Sequence, residues 1–159
     1  MIALRLHIVP LGLACCALEY QAAVVSSQFE QAWAQMSGGS SATSAAGADE
    51  GSSDGNSVES VDVLVLAGTM THALTATIKA AYAELGTRRA VVSFGACSIS
   101  GGPYWDSYSV ANVPPVPVDL TIPGCPPTPQ ALIEGLRHLQ DLLSARPDSA
   151  QTASAAGVA

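Results

Sequence analysis

The fold and site of this protein are decided by Gly95-Ala96-Cys97-Ser98-Ile99-Ser100-Gly101-Gly102-Pro103-Tyr104-Trp105-Asp106-Ser107-Tyr108. This stretch follows an apolar run at 90–94, places one cysteine between small residues, and then turns at a Gly-Gly-Pro sequence. Glycine has no Cβ, so a backbone rich in glycine can come close to a bulky group. We therefore expect Cys97 to lie beside something larger than a side chain.

The other three cysteines stand in comparable surroundings. Cys15 and Cys16 are adjacent near the start of the chain, and Cys125 lies within Pro123-Gly124-Cys125-Pro126-Pro127. No membrane span is expected, because no apolar run reaches about 20 residues. The apolar start of the chain, which a cysteine follows, leaves a short lipoprotein signal as an alternative. In a cytoplasmic chain, four cysteines favour a metal site over disulfides.

Composition limits the possible partners. A chain of 159 residues predicts one domain, and 48% apolar residues suffice for a core. Only 12% of the residues are charged, which favours burial of the surface against other subunits. The net charge of −7, with six basic residues, argues against nucleic acid, whose phosphates need clustered Lys and Arg.

Apolar patterns predict an α/β domain with a parallel sheet of about four strands and helices on both faces. The predicted strands are 2–9, 61–67, 90–94 and 116–122. The first predicted helix carries the apolar stripe Leu18, Ala22, Val25, Phe29 and Trp33. The second carries Leu74, Ile78, Ala81, Tyr82 and Leu85 and ends before Gly86, and the third, 129–143, carries Leu132, Leu136, Leu139 and Leu143.

Two segments are predicted to lie outside this domain, which comprises 1–36 and 61–145. Residues 37–60 consist mainly of Ser, Gly and Ala with four acidic residues, which predicts a flexible insertion. Residues 146–159 have a similar composition and are predicted to form a disordered tail.

Strand order brings the cysteines together. Cys15 with Cys16, Cys97 and Cys125 each follow a predicted strand. Ligands of parallel α/β sheets bind beyond the carboxyl ends of the strands, so we expect all four cysteines at one edge. Four thiolates suit a structural zinc or an iron–sulfur cluster. Adjacent cysteines reach two irons of a cubane more easily than one zinc ion, although four buried free cysteines remain an alternative.

Several motifs resemble those of the 20 kDa or PSST subunit of respiratory complex I, the B-type chain of NADH-quinone oxidoreductase. They are Gly12-Leu-Ala-Cys15-Cys16-Ala-Leu-Glu19, Ala67-Gly-Thr-Met-Thr71, Gly95-Ala-Cys97, Gly101-Gly-Pro-Tyr-Trp-Asp-Ser-Tyr-Ser-Val110, Pro117-Val-Asp119 and Pro123-Gly-Cys125-Pro-Pro127. The small subunits of nickel–iron hydrogenases are wider relatives. The tandem cysteine favours the complex I branch.

The resemblance implies a flavodoxin-like domain with a [4Fe–4S] cluster held by Cys15, Cys16, Cys97 and Cys125. It implies the terminal cluster of a proton-translocating NADH:quinone oxidoreductase, which passes electrons to quinone in a cavity shared with a large 49 kDa-type subunit. The chain would bind no NADH and would not be catalytic alone. With the other complex I subunits it would lie peripherally on the cytoplasmic side of the cell membrane.

This sequence departs from the family pattern on the quinone side. A basic, arginine-containing segment of the family is replaced by 37–60, which has no Lys or Arg. Tyr20-Gln21 stands where the family often has Met-Met, Ala73 stands in place of a common Lys, and the loop 110–116 is shortened. The four cysteines are kept, and the departures fall on the quinone side.

Three further residues are candidates for quinone-side or proton-coupled roles. Glu19 follows Cys16 by one helical turn, where a carboxylate would also be favoured by the helix dipole. His72 stands at a predicted helix start, where a surface or capping role is the usual one. Tyr104, with Trp105 and Tyr108, is expected to face the large subunit.

Three functions compete at this point. The first is an electron-transfer subunit of a quinone-reducing complex. The second is the small subunit of a hydrogenase-like or other complex I-related oxidoreductase, with the same cluster. The third is a non-enzymatic lipoprotein or metal-stabilised binding module.

Overall fold

A computed structural model describes residues 3–10, 14–36 and 60–145. The predicted tail and all but the last residue of the predicted insertion lie outside these ranges. Ser60, the last residue of that insertion, is instead the first residue of a strand.

The core of the fold is one parallel sheet. Its strands are β1 (Ala3–Pro10), β2 (Ser60–Ala67), β3 (Arg89–Phe94) and β4 (Leu120–Ile122), in the spatial order β1-β2-β3-β4. All three pairings are parallel. The predicted four-stranded parallel sheet is thus confirmed.

The fourth strand is shorter than predicted. It was expected over 116–122, but only Leu120–Ile122 pairs with β3. Pro117 has no N–H and cannot extend the ladder. Before the strand, Val116 packs into the core, and the Asp119 carboxylate accepts a hydrogen bond from the Val91 N–H at 2.9 Å.

Five α-helices accompany the sheet within the described residues: α1 (Cys15–Val24), α2 (Ser27–Met36), α3 (Thr75–Glu84), α4 (Ala96–Ser100) and α5 (Pro129–Ala145). Short 3₁₀ turns occupy His72–Leu74 and Gly102–Tyr104. Helices α1, α2 and α5 pack on one face of the sheet, around Tyr20, Phe29 and Leu136. Helix α3 packs on the other face through Ile78. Among the described helices, none is both long and apolar enough to cross a bilayer.

The prediction of one helix with a single stripe from Leu18 to Trp33 is wrong. Two helices meet at Val25 and Ser26, where the Ser26 hydroxyl donates to the Ala23 carbonyl and accepts from the Phe29 N–H. This hydroxyl caps the start of α2. Leu18 and Val25 are consequently 55% and 71% exposed, whereas the first turn of α2 buries Phe29.

Asp62 ties β1 to the turn after α3, which yields a stability prediction. Its carboxylate lies 3.0 Å from the His7 Nε2 atom and accepts a hydrogen bond from the Gly86 N–H at 2.9 Å. We expect Asp62→Ala to lower the free energy of unfolding by about 1–2 kcal/mol, because both partly solvated interactions are lost. Denaturant unfolding followed by circular dichroism measures this change.

Asp141→Ala is the matched control, because Asp141 is an exposed acid on α5. It should change the free energy of unfolding by no more than about 0.5 kcal/mol. Equal effects of the two substitutions would contradict the role assigned to Asp62.

Candidate metal centre

Three loops deliver the four cysteines to the carboxyl edge of the sheet. Cys15 and Cys16 open α1, which follows β1. Cys97 lies in α4, directly after β3, and Cys125 stands three residues beyond the end of β4. The predicted position of each cysteine after a strand is confirmed, while its role as a metal ligand stays a prediction.

Gly95 is the residue against which Cys16 is placed. Its φ of +91° is a conformation that only glycine adopts readily. A Cβ at this position would collide with the Cys16 Sγ atom and would lie 3.0 Å from the Cys16 Cβ atom. The missing side chain of Gly95 is therefore the space that the Cys16 sulfur occupies.

Gly102 makes the corresponding space for Cys97. Its φ is +54°, and a Cβ there would lie 3.1 Å from the Cys97 Sγ atom. Gly95 and Gly102 thus make room for cysteine sulfurs, while their clearance for a bulky group stays a prediction. A Cβ on Gly101 would instead meet Asn112, and one on Gly124 would meet Pro127.

The turn from β3 into α4 is fixed by two buried hydroxyls, which the cysteine and glycine pattern alone does not reveal. The Ser98 hydroxyl lies 3.0 Å from the Phe94 carbonyl and 3.1 Å from the Gly95 carbonyl. Ser93 donates to the Ser98 hydroxyl at 2.8 Å. Both serines are fully buried. A serine directly after Cys97, with another at the end of an apolar strand, is the sequence feature that could have indicated this arrangement.

The loop that carries Cys125 is bonded to the loop that carries Cys97. The Gly95 N–H donates to the Ile122 carbonyl at 2.9 Å, and the Ala96 N–H donates to the Gly124 carbonyl at 2.8 Å. Pro127 also approaches Gly95, since its Cδ atom lies 3.3 Å from where a Gly95 Cβ would stand. Gly95 is thus in contact with both the Cys16 side and the Cys125 side of the site.

Burial and neighbouring thiols raise the pKa of Cys16 to about 12. Removal from water is the largest cause, followed by the nearby Cys97 and Cys15 thiols. The Cys97 backbone N–H, which hydrogen-bonds the Cys16 sulfur, opposes this effect in part. A bound metal reverses such a shift, because a thiol that coordinates a metal is deprotonated. The Cys15 and Cys97 thiols therefore each lie close enough to Cys16 to affect its ionisation.

This electrostatic arrangement predicts an order of alkylation in the metal-free protein. A thiol with a pKa of about 12 is ionised in roughly one molecule in 10,000 at pH 8, and the thiolate is the nucleophile. Cys16 and Cys97 are buried, while Cys15 and Cys125 are exposed. We expect iodoacetamide to modify Cys15 and Cys125 at least about tenfold faster than Cys16, as measured by peptide mass spectrometry. Equal rates at all four cysteines would contradict the described burial.

The donor set has the composition that an iron–sulfur cluster requires, which is four cysteine thiols. Within the described ranges, no three His, Cys, Asp or Glu side chains are grouped as a site for a metal ion. The four thiolates of a zinc site all lie about 2.3 Å from the same ion. The four thiolates of a cubane bind separate irons and therefore stand further from one another. The fit to a cluster rests on the four thiols and on Gly95 and Gly102, which accommodate the Cys16 and Cys97 sulfurs.

The quinone-side candidates lie around the same edge. Glu19 is half-buried on α1, and His72 is exposed at the start of a 3₁₀ turn after β2. The His72 N–H donates to the Ser109 carbonyl at 3.0 Å, and Thr71 bridges to Val110. The segment after Tyr104 therefore returns beside His72.

An exposed aromatic surface follows α4. Tyr104, Trp105 and Tyr108 are 54%, 64% and 96% exposed. Asn112 donates from its Nδ2 atom to the Trp105 carbonyl at 2.7 Å and holds this turn in place. The three aromatic side chains are therefore available at the surface, and their contact with a large subunit stays a prediction.

Comparison with known proteins finds relatives among respiratory oxidoreductases. The chain is 46% identical over 86 residues to the B 1 chain of NADH-quinone oxidoreductase from Salinispora tropica. The aligned residues make up 53% of this chain and 46% of that protein. It is 36% identical over 134 residues to the B 2 chain of the same enzyme from Symbiobacterium thermophilum, or 83% of this chain and 65% of that protein. The B chain of F(420)H(2) dehydrogenase from Methanosarcina mazei is 40% identical over 95 residues, 58% of this chain and 52% of that protein.

A solved structure shares the fold. A chain in the structure of the membrane-bound sulfane sulfur reductase (MBS), an archaeal respiratory membrane complex, matches with a TM-score of 0.62 at 23% identity. The match covers 87% of this chain and 70% of that one. At this identity the likeness shows the fold alone.

The chain spans only part of the length of its relatives. The chain spans 46%, 65% and 52% of the length of these three relatives. The model of the family described as NADH ubiquinone oxidoreductase, 20 kDa subunit, matches residues 14–139. The chain belongs to this family of oxidoreductase subunits.

Proposed function

We propose that this chain is the electron-transfer subunit of an NADH:quinone oxidoreductase-type complex. In this proposal Cys15, Cys16, Cys97 and Cys125 hold a [4Fe–4S] cluster, the last in the electron chain before quinone. Family membership supports the class of complex. The observation that carries the cluster proposal is the placement of the Cys16 sulfur in the space left by Gly95, beside Cys97.

The chain's own residues hold and shield the metal group in this proposal. When bound, the cluster supplies one-electron transfer. Burial of Cys16 and Cys97 excludes water from one side of the site, while exposed Cys15 and Cys125 leave the other side open to a partner. The Cys97 backbone N–H faces the Cys16 sulfur and stabilises negative charge there.

The partner surface and the quinone side are parts of the same proposal. Exposed Tyr104, Trp105 and Tyr108 are suited to burial against a large 49 kDa-type subunit. Glu19, His72 and Tyr104 are proposed to line the quinone side and to take part in proton-coupled transfer. The complex would hold the chain peripherally on the cytoplasmic side of the cell membrane.

Anaerobic metal analysis tests the proposed cofactor. About four irons and four acid-labile sulfides per chain, with an EPR signal of a reduced cubane, are expected. Zinc, or no metal, in protein purified with its partner subunits would contradict the cluster and with it the electron-transfer role. The same outcome would favour the metal-stabilised binding module.

A second candidate differs in the electron donor. The 40% identity to a chain of F(420)H(2) dehydrogenase favours a related complex in which a donor other than NADH supplies the electrons. The purified complex should reduce quinone with only one of the two donors. Reduction by F(420)H(2) and not by NADH would replace the first candidate with the second.

A further inference from the structure

Tyr20 has a buried hydroxyl without a hydrogen-bond partner. The residue is 1% exposed, and its hydroxyl oxygen contacts no donor or acceptor within the described part of the chain. Burial raises the pKa of Tyr20, so the phenol keeps its proton near neutral pH. An unsatisfied buried polar group costs about 1–3 kcal/mol. Such a hydroxyl therefore calls for an acceptor outside the described side chains and backbone.

The position of Tyr20 points to the cysteine site. It follows Cys16 by one helical turn on the buried face of α1. Long side chains in a helix lean back over the preceding turn, which here is the turn that carries Cys16. The Tyr20 ring also meets the Phe94 ring edge-on, with 5.8 Å between the ring centroids. Phe94 is followed by Gly95, whose missing side chain leaves room for the Cys16 sulfur.

Sulfur is the acceptor that this site would provide. Four cysteines can bring thiolate and sulfide sulfurs to this edge of the sheet, and such sulfurs accept hydrogen bonds from nearby donors. The phenol donates its proton in such a hydrogen bond, because a thiolate or sulfide sulfur has no proton to donate. Donation to sulfur lowers the charge density there and favours the reduced state of a cluster.

We propose that the Tyr20 hydroxyl donates a hydrogen bond to a sulfur of the metal group held by the four cysteines and raises its reduction potential. Tyr20 is thus a positioning residue and does not take part in electron transfer itself. This inference rests on the proposed function, since it requires the cluster to be bound. It adds a determinant of the reduction potential that lies on α1, one helical turn beyond Cys16.

Tyr20→Phe in the purified complex tests the inference, because it removes one oxygen and keeps the ring against Phe94. Redox titration followed by EPR should show a lower midpoint potential, with about four irons per chain retained. Electron–nuclear double resonance in H₂O and in D₂O should show exchangeable protons coupled to the wild-type cluster. One such coupling should be lost in Tyr20→Phe, while that of the Cys97 backbone N–H should remain.

Trp33→Phe is the matched control. The Trp33 Nε1 atom is also buried without a partner among the described residues, and its ring lies in the same core cluster. It stands on α2, stacked on Phe29 at 5.9 Å between ring centroids, and not next to Cys16. We expect its substitution to leave the midpoint potential and the exchangeable protons unchanged. An equal shift in both variants would mean a general effect of the core and would overturn the inference.

The possible failures are distinguishable. Wild-type complex without an iron–sulfur cluster overturns the proposed function and the inference together. A wild-type cluster whose potential and proton coupling survive Tyr20→Phe overturns only the inference.

Discussion

Gly95→Ala is expected to reduce bound iron in the purified complex by about 10- to 100-fold, the usual effect of disturbing the surroundings of a metal ligand. The new methyl group would collide with the Cys16 sulfur. It would also lie 3.3 Å from the Cys125-side residue Pro127 and would force a side chain into a φ of +91°. Iron and sulfide analysis of anaerobically purified protein measures the loss.

Gly101→Ala separates this effect from backbone strain. Gly101 also has a positive φ, +81°, but a Cβ there would meet Asn112 and would lie 2.9 Å from the Trp105 Cα atom. We expect this variant to be less stable, while the folded fraction keeps its iron. Equal iron loss in both variants would argue against a specific clash between Gly95 and Cys16.

Cys97→Ala is expected to abolish the cluster and, with it, quinone reduction. Cys97 is 1% exposed, and its sulfur stands against Gly102 at the centre of the site. Its substitution removes a proposed ligand that no described residue replaces at this position. Cys125→Ala should have the same effect. The EPR signal of the reduced cluster and the iron content of each variant measure the loss.

Ser100→Ala is a suitable control for Cys97→Ala. Ser100 is an exposed residue of the same short helix, and its hydroxyl reaches the Ala96 carbonyl at 3.5 Å. It should retain the wild-type EPR signal and iron content. A normal signal in Cys97→Ala would show that the ligand assignment is wrong.

The sheet was predictable because its strands are locally distinct. Residues 61–67 and 90–94 are short apolar runs bounded by glycine or charge, and both form central parallel strands. The stripe of α5 was also predictable, since Leu132, Leu136 and Leu139 share one helix face and are all buried. The spacing of apolar residues and the composition are enough to predict an element that buries one uninterrupted face.

The first helical region was not predictable from its stripe. Thirteen residues of one helix make about 3.6 turns, so Phe29 would lie roughly opposite Cys16. Both side chains are nevertheless buried on the same face of the sheet. The break at Ser26 resets the phase between α1 and α2. Two valines followed by two serines, at 24–27, are the local feature that indicates such a break.

The candidate site was predictable in place but not in detail. The order of strands and cysteines alone predicted that three loops meet at the carboxyl edge. The pairing of each glycine with a sulfur depends on how α1 approaches the β3–α4 turn. These two segments are separated by about 80 residues of the chain. Gly95 therefore proved to face Cys16 and Gly102 to face Cys97.

By itself the sequence determined the element types, the cysteine-bearing edge and the family resemblance, because each depends on neighbours close in the chain. Only the tertiary structure decided the strand order, the opposite faces of α1 and α3, and the isolation of the Tyr20 hydroxyl among the described residues. These features depend on which distant segments compete for the same buried surface. That competition is settled by packing of the whole core and not by the period of any one segment.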